Sequence, residues 1–143
     1  MIAVDTNILV YAHRQDSEFH EPALAALRGL ARKMARWAIP WPCVHEFLVI
    51  TTHPKIFLPP SPSSIALQSI QVWLQAPGCG TIGETGDYFP RLQKIIHESN
   101  IRGPAVHDAR IAAICQHHGI SELWTADRDF SRFRNLKTIN PLL

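Results

Sequence analysis

The sequence predicts an α/β domain built on a mostly parallel β-sheet flanked by helices. Three observations carry this. Short apolar runs at residues 2–4, 38–39 and 122–125 alternate with longer segments of helical periodicity, the pattern parallel βαβ units require. The chain has 143 residues, enough for one domain with a real core. Two of the apolar runs lead into acids, Asp5 and Asp127. Parallel sheets gather ligands at the carboxyl ends of their strands, so both acids are expected at one edge.

The elements follow in order. Ile2-Ala3-Val4 reads as a buried strand ended by the turn-like cluster Asp5-Thr6-Asn7. Residues 21–37 read as a helix, with Leu24, Leu27, Ala31 and Met34 as an apolar stripe. Arg28, Arg32 and Arg36 recur on another face of it. Ala38-Ile39 reads as a second strand, and residues 42–53 as a helix with Val44, Phe47 and Leu48 inward. Pro54, Pro59, Pro60 and Pro62 make residues 53–64 a loop or lid, because proline removes donors and restricts its predecessor. Helices are expected at 63–75, 87–99 and 104–118, the last opened by Pro104 and stopped by Gly119. Strands are expected at 122–125 and 137–139.

Composition narrows the function classes. A chain that is 46% hydrophobic and 18% charged is not a disordered tail. The net charge of +2 does not announce a nucleic-acid binder. Cys43, Cys79 and Cys115 are too few and scattered for a disulfide framework or a zinc knuckle, and an odd count suits a reducing cytosol. Residues 1–5 show no basic start or long apolar stretch, so no signal peptide is expected. No segment reaches the roughly eighteen apolar residues needed to span a bilayer. The expected setting is soluble and cytoplasmic.

Four acids stand out by position. Asp5 and Asp127 end strands. Glu46 sits among Val44, Phe47 and Leu48 in a stretch otherwise free of charge, which reads as an inner helix face. Asp108 precedes Ile111, Ala112 and Cys115 at helical spacing, which puts it on an inward face. Each has a bland explanation. Asp5 and Asp127 are also turn or cap residues, Glu46 a solvated helix residue, and Asp108 an acid favoured by a helix N-terminus. Four together need neutralising, since converging carboxylates raise one another's pKa. A divalent cation does this, and all-oxygen ligands suit Mg²⁺ or Mn²⁺ better than Zn²⁺. Such a centre suits phosphodiester hydrolysis. Neither G-x-S-x-G nor G-x-x-x-x-G-K occurs. His107-Asp108 has an HD-phosphohydrolase look, but that all-helical family leaves a strand ending in Asp5 unexplained. Receiver-type phosphoryl transfer lacks its ordered acids and late lysine.

The ordered set resembles a PIN-domain protein, specifically the VapC-type toxins of bacterial toxin–antitoxin pairs. The resemblance rests on Val4-Asp5-Thr6-Asn7-Ile8-Leu9, Glu46, His107-Asp108-Ala109-Arg110-Ile111-Ala112-Ala113, Trp124-Thr125-Ala126-Asp127-Arg128-Asp129-Phe130 and Asn140-Pro141-Leu142. It runs the length of the chain and implies a single PIN domain over residues 1–143. It implies an Mg²⁺- or Mn²⁺-dependent endoribonuclease, inhibited by a cognate VapB-like antitoxin and built as a homodimer. Asp5, Glu46, Asp108 and Asp127 match the acidic quartet, Asn7 and Thr125 its polar supports, and Asp129 is an extra acid. The alternative is a PIN-fold RNA-binding or regulatory protein without turnover, which a missing acid would favour. None of the four is missing. The expected substrate is either transfer RNA or ribosomal RNA, between which the sequence does not choose.

Other residues have weaker claims. Arg28, Arg32, Lys33 and Arg36 form either a solvated face or a ridge for the RNA backbone. Arg110 and Arg128 lie beside the acids and either hold phosphate or pair with carboxylates. His117-His118 are expected to meet a helix C-terminal dipole. Trp37, Trp41, Trp73 and Trp124 read as core or interface. Trp41, Phe47 and the proline-rich loop suggest a groove for an antitoxin helix. Setting the four acids aside leaves a distinctly basic body, so the near-neutral sum averages two unlike regions.

Overall fold

The computed structural model describes residues 1–143. Its five strands are β1 (Ile2–Val4), β2 (Trp37–Pro40), β3 (Cys79–Ile82), β4 (Glu122–Trp124) and β5 (Thr138–Ile139). They lie in the order β3-β2-β1-β4-β5, and every pairing is parallel. The first strand of the chain is therefore the central one. The helices are α1 (Thr6–His13), α2 (His20–Arg32), α3 (Trp41–Thr51), α4 (Ser63–Leu74), α5 (Tyr88–Ser99) and α6 (Val106–His117). Short 3₁₀ turns at Gly103–Ala105 and Arg128–Arg132 complete the set.

The core is apolar where the sheet meets the helices. Ala3, Val4, Ile39 and Leu123 are buried on the strands, against Ile8, Leu9, Phe47, Ile111 and Ile114 from the helices. Trp37 and Trp73 belong to this core, Trp124 is half-buried, and Trp41 is exposed. Phe47 meets Trp73 edge-on at 5.3 Å between ring centres.

Two elements were not expected. α1 follows Asp5 directly, capped by that side chain, where the sequence suggested only a turn. Ile8, Leu9, Val10 and Ala12 are all buried and Asn7, Tyr11 and His13 are half-buried, so α1 has no exposed face to mark its period. β3 is an edge strand whose Gly80 and Thr81 are exposed, so it lacks an apolar run. Gly78 precedes it at φ 79°, where a Cβ would collide with the Ala35 carbonyl.

The expected helix over residues 21–37 needs correction. The second helix ends at Arg32, not residue 37, because Met34 takes φ 55° on the way into β2. Its buried stripe is Ala23, Leu27 and Leu30, while Met34 is 89% exposed. The proline-rich segment is a loop, as expected, but it is pinned. Ser61 N donates to the Thr51 carbonyl at 2.8 Å, and Arg14 donates to the Pro59 carbonyl at 3.1 Å. The Arg14 guanidinium lies 4.2 Å over the Phe57 ring. His13 holds Ser61 and Ser69 through its two ring nitrogens, at 2.8 and 2.7 Å.

Candidate metal centre at the carboxyl edge of the sheet

β1 and β4 run side by side with Val4 opposite Trp124, so Asp5 and Thr125 leave the sheet together. Asp5 is 3% exposed. Its Oδ1 accepts from Thr6 N at 2.8 Å, and its Oδ2 from Thr125 Oγ1 at 2.8 Å and Asn7 Nδ2 at 3.1 Å. The Cys43 thiol reaches Oδ1 at 3.5 Å. Asn7 also donates to Thr125 Oγ1 and accepts from Ala126 N at 3.0 Å. Asp5, Asn7 and Thr125 thus form one cage across the two strands. Burial outweighs these bonds and lifts the Asp5 pKa to about 6, with Glu46 adding repulsion.

The remaining acids form an open arc. Asp127 caps the 3₁₀ turn, its Oδ1 accepting from Asp129 N at 2.9 Å. One carboxylate oxygen each from Asp108, Asp127 and Asp129 lie within 4.8 Å of one another. Asp108 is half-buried at the start of α6, and its pKa is raised by burial and by Asp127, Glu46 and Asp129. Glu46 is exposed on α3, not inward as expected. The α3 face carrying Val44 and Phe47 packs inward, and Glu46 falls beside it. Glu46 and Asp108 nevertheless line one cavity of about 400 Å³ with His107 and Arg110. The donor set is all oxygen and mutually repulsive, which fits a hard divalent cation.

A PIN domain family model matches residues 2–136. The chain belongs to the PIN domain family. This PIN domain is 28% identical over 137 residues to Ribonuclease VapC48 of Mycobacterium tuberculosis, covering 96% of this chain and 94% of that one. Its fold superposes with TM-score 0.71 on a chain of the VapBC2 structure from Rickettsia felis, solved bound to a promoter DNA fragment. Identity there is 20%, and the match covers 97% of this chain and 98% of that one. VapC20 of Mycobacterium tuberculosis, described as a sarcin–ricin loop cleaving toxin, matches with TM-score 0.65. Identity is 17%, over 95% of this chain and 98% of that one. The resemblance seen in the motifs thus holds in family, relatives and fold, with the sheet wholly rather than mostly parallel.

The basic candidates of the PIN domain separate. Arg110 pairs with Glu84, which follows β3. Arg128 lines a cleft beside Asp127 and makes no ion pair. Arg28 and Arg32 stand exposed on α2, outside both cavities, and Arg36 lies beyond the helix. His117 and His118 tie down the segment after β3 through Thr85 at 3.0 Å and the Gly83 carbonyl at 2.9 Å. Sequence reasoning missed Arg132, the cation that offsets Asp108 and bridges Asp129 at 3.7 Å. Its spacing of three from Asp129 was the available signal. It also missed Cys43, for which no signal existed. The three cysteines are free, and no helix is long and apolar enough to cross a membrane.

Proposed function

We propose that this PIN domain, residues 1–143, is a VapC-type toxin: a metal-dependent endoribonuclease held in check by a VapB-like antitoxin. The carrying observation is the convergence of Asp108, Asp127 and Asp129 oxygens within 4.8 Å, beside the Asp5 cage. Relatives named as VapC ribonucleases support the reading.

Asp108 and Asp127 would hold Mg²⁺ or Mn²⁺, with Asp5 behind them and Asp129 at the open end. A divalent cation bound there would neutralise the carboxylates, acidify water and offset charge on the phosphate. Asp5 keeps Thr125 and Asn7 fixed, and through Thr125 Oγ1, which accepts from Asp127 N at 3.0 Å, it sets the Asp127 turn. Glu46, exposed on the cavity wall beside Asp108, orients the attacking water and takes its proton. In-line attack leaves a 5′-phosphate and a 3′-hydroxyl. Arg128 receives the RNA backbone, with Arg28 and Arg32 as remoter contacts; Arg110, tied to Glu84, acts as a wall.

The substrate is structured cytoplasmic RNA, transfer or ribosomal, and the working unit is a homodimer. The antitoxin covers the α3 face and proline-rich loop, where Trp41, Val49, Ile56 and Leu58 are exposed. In a complex, residues 41–60 lose hydrogen exchange; unchanged exchange there would remove this assignment. The test of function is cleavage of total RNA by purified protein with Mg²⁺ or Mn²⁺. Asp108→Asn is expected to cut the rate about 10³-fold with the circular dichroism spectrum unchanged. Full activity in that variant overturns the site, and binding without cleavage by the wild type favours the regulatory alternative.

A further inference from the structure

Asp127 borders a second space. A cleft of about 550 Å³, which neither Glu46 nor Asp108 lines, opens between α1, the turn after β4, and β5. One wall is aromatic. Tyr11 and Phe19 lie 5.2 Å apart between ring centres, tilted by 52°. His20 bonds the Tyr11 carbonyl through Nδ1 at 3.0 Å, which fixes the start of α2 against α1 and holds the two rings together. Phe19 is 37% exposed although large and apolar.

The rest of the lining mixes apolar Ala126, Leu142 and Leu143 with polar groups. Asn140 spends its side-chain carbonyl on Leu142 N at 3.0 Å, and its amide nitrogen donates to no group of the chain. Ser131 and Thr138 add hydroxyls, and Arg128 stands on the turn with no carboxylate partner. An aromatic pair and unspent donors in one cleft, with a free cation beside them, match an unstacked nucleotide: a flat ring, a polar edge and a phosphate. Because Asp127 belongs both to the acidic arc and to this cleft, the occupant sits next to the reacting phosphate.

We propose that this cleft is a nucleobase subsite, taking the unpaired base of one nucleotide flanking the scissile phosphate. Tyr11 and Phe19 supply the stacking surface, and Asn140 reads the base edge. This deepens the ribonuclease reading and rests on it.

The test uses the full-length protein and two probes. The first is a single-stranded RNA with a randomised ten-nucleotide tract, cleaved with Mn²⁺ and sequenced at its new ends. The second is a uridine dodecamer carrying 2-aminopurine at successive positions, bound in EDTA and followed by fluorescence. The subsite predicts a base preference at one position beside the cut and quenching of the bound fluorophore. Phe19→Ala is expected to weaken dodecamer binding about tenfold and abolish the quenching. Asn140→Ala is expected to retain quenching and flatten the base preference at that one position. Thermal melts of both variants establish folding.

Unchanged preference and quenching in both folded variants overturn the subsite, even when cleavage itself is normal. So does weaker binding of Phe19→Ala to a cognate antitoxin alone, which assigns the cleft to a peptide. If the wild type cleaves neither this probe nor total RNA, the ribonuclease reading falls by itself. The fluorescence then decides the base site: quenching lost in Phe19→Ala upholds it, and its absence in the wild type ends it.

Discussion

Asp5 and Asp108 are carboxylates of one site, yet they are held in opposite ways. Asp5 is sealed among donors from Thr6, Asn7, Thr125 and Cys43, all formed within the chain. Asp108 is half-buried among acids, with only Arg132 lowering its pKa. The inner half is a finished hydrogen-bonded frame. The outer half is an unbalanced charge cluster that repels itself until something cationic arrives. Rigid support and electrostatic demand are thus assigned to different residues, which lets the frame fold before any ion binds.

The sharpest break of this comparison is Asp108→Asn. Besides its loss of about 10³-fold in cleavage, it should raise the melting temperature in EDTA, because it removes a repelling charge. A lower melting temperature would place Asp108 in the frame instead. Next comes Asp5→Asn. The folded pKa near 6 stands above the unfolded 3.8, so folding gains from a neutral Asp5 below pH 4 and loses that gain as pH rises through 6. The variant lacks this titration. Its stability relative to wild type, measured by urea unfolding in EDTA, should therefore climb between pH 4 and 7, by up to about 3 kcal/mol. A flat difference would mean that burial is not what perturbs Asp5.

Thr125→Val attacks the frame alone. It takes one of two donors from Asp5 Oδ2, one acceptor from Asn7 Nδ2 and the partner of the Asp127 amide, and should cost about 2 kcal/mol at pH 7 by urea unfolding. The smallest effect is expected for Asp129→Asn, at the exposed end of the arc. Calorimetry should find Mn²⁺ binding weakened about tenfold with stability unchanged.

The sequence made the frame's ends visible and hid its middle. Strands 2–4 and 122–125 were legible because buried parallel strands are plain apolar runs, and the acids after them followed from that. The bland and functional readings of Asp5 and Asp127 turned out to be compatible: each caps a helical turn, and capping is what fixes the carboxylate. α1 was hidden because burial on every side erased its period. β3 was hidden because Gly80 and Thr81 sit at an edge, where the β2 backbone sets the register. Asp108 was found from its spacing to Ile111, Ala112 and Cys115, while its closeness to Asp129 depends on a 3₁₀ turn that no periodicity announces.

The bond from Thr125 to Asp5 joins residues 120 apart in the chain. That separation has a meaning in time. A chain being synthesised carries Asp5 and Glu46 long before it carries Thr125 and Asp127, and β1 lacks its β4 neighbour until then. Non-local contacts of this kind close late. The acidic site is therefore among the last features to assemble, so under the proposed function a half-made chain still attached to its ribosome would lack a complete centre for attacking the RNA that surrounds it.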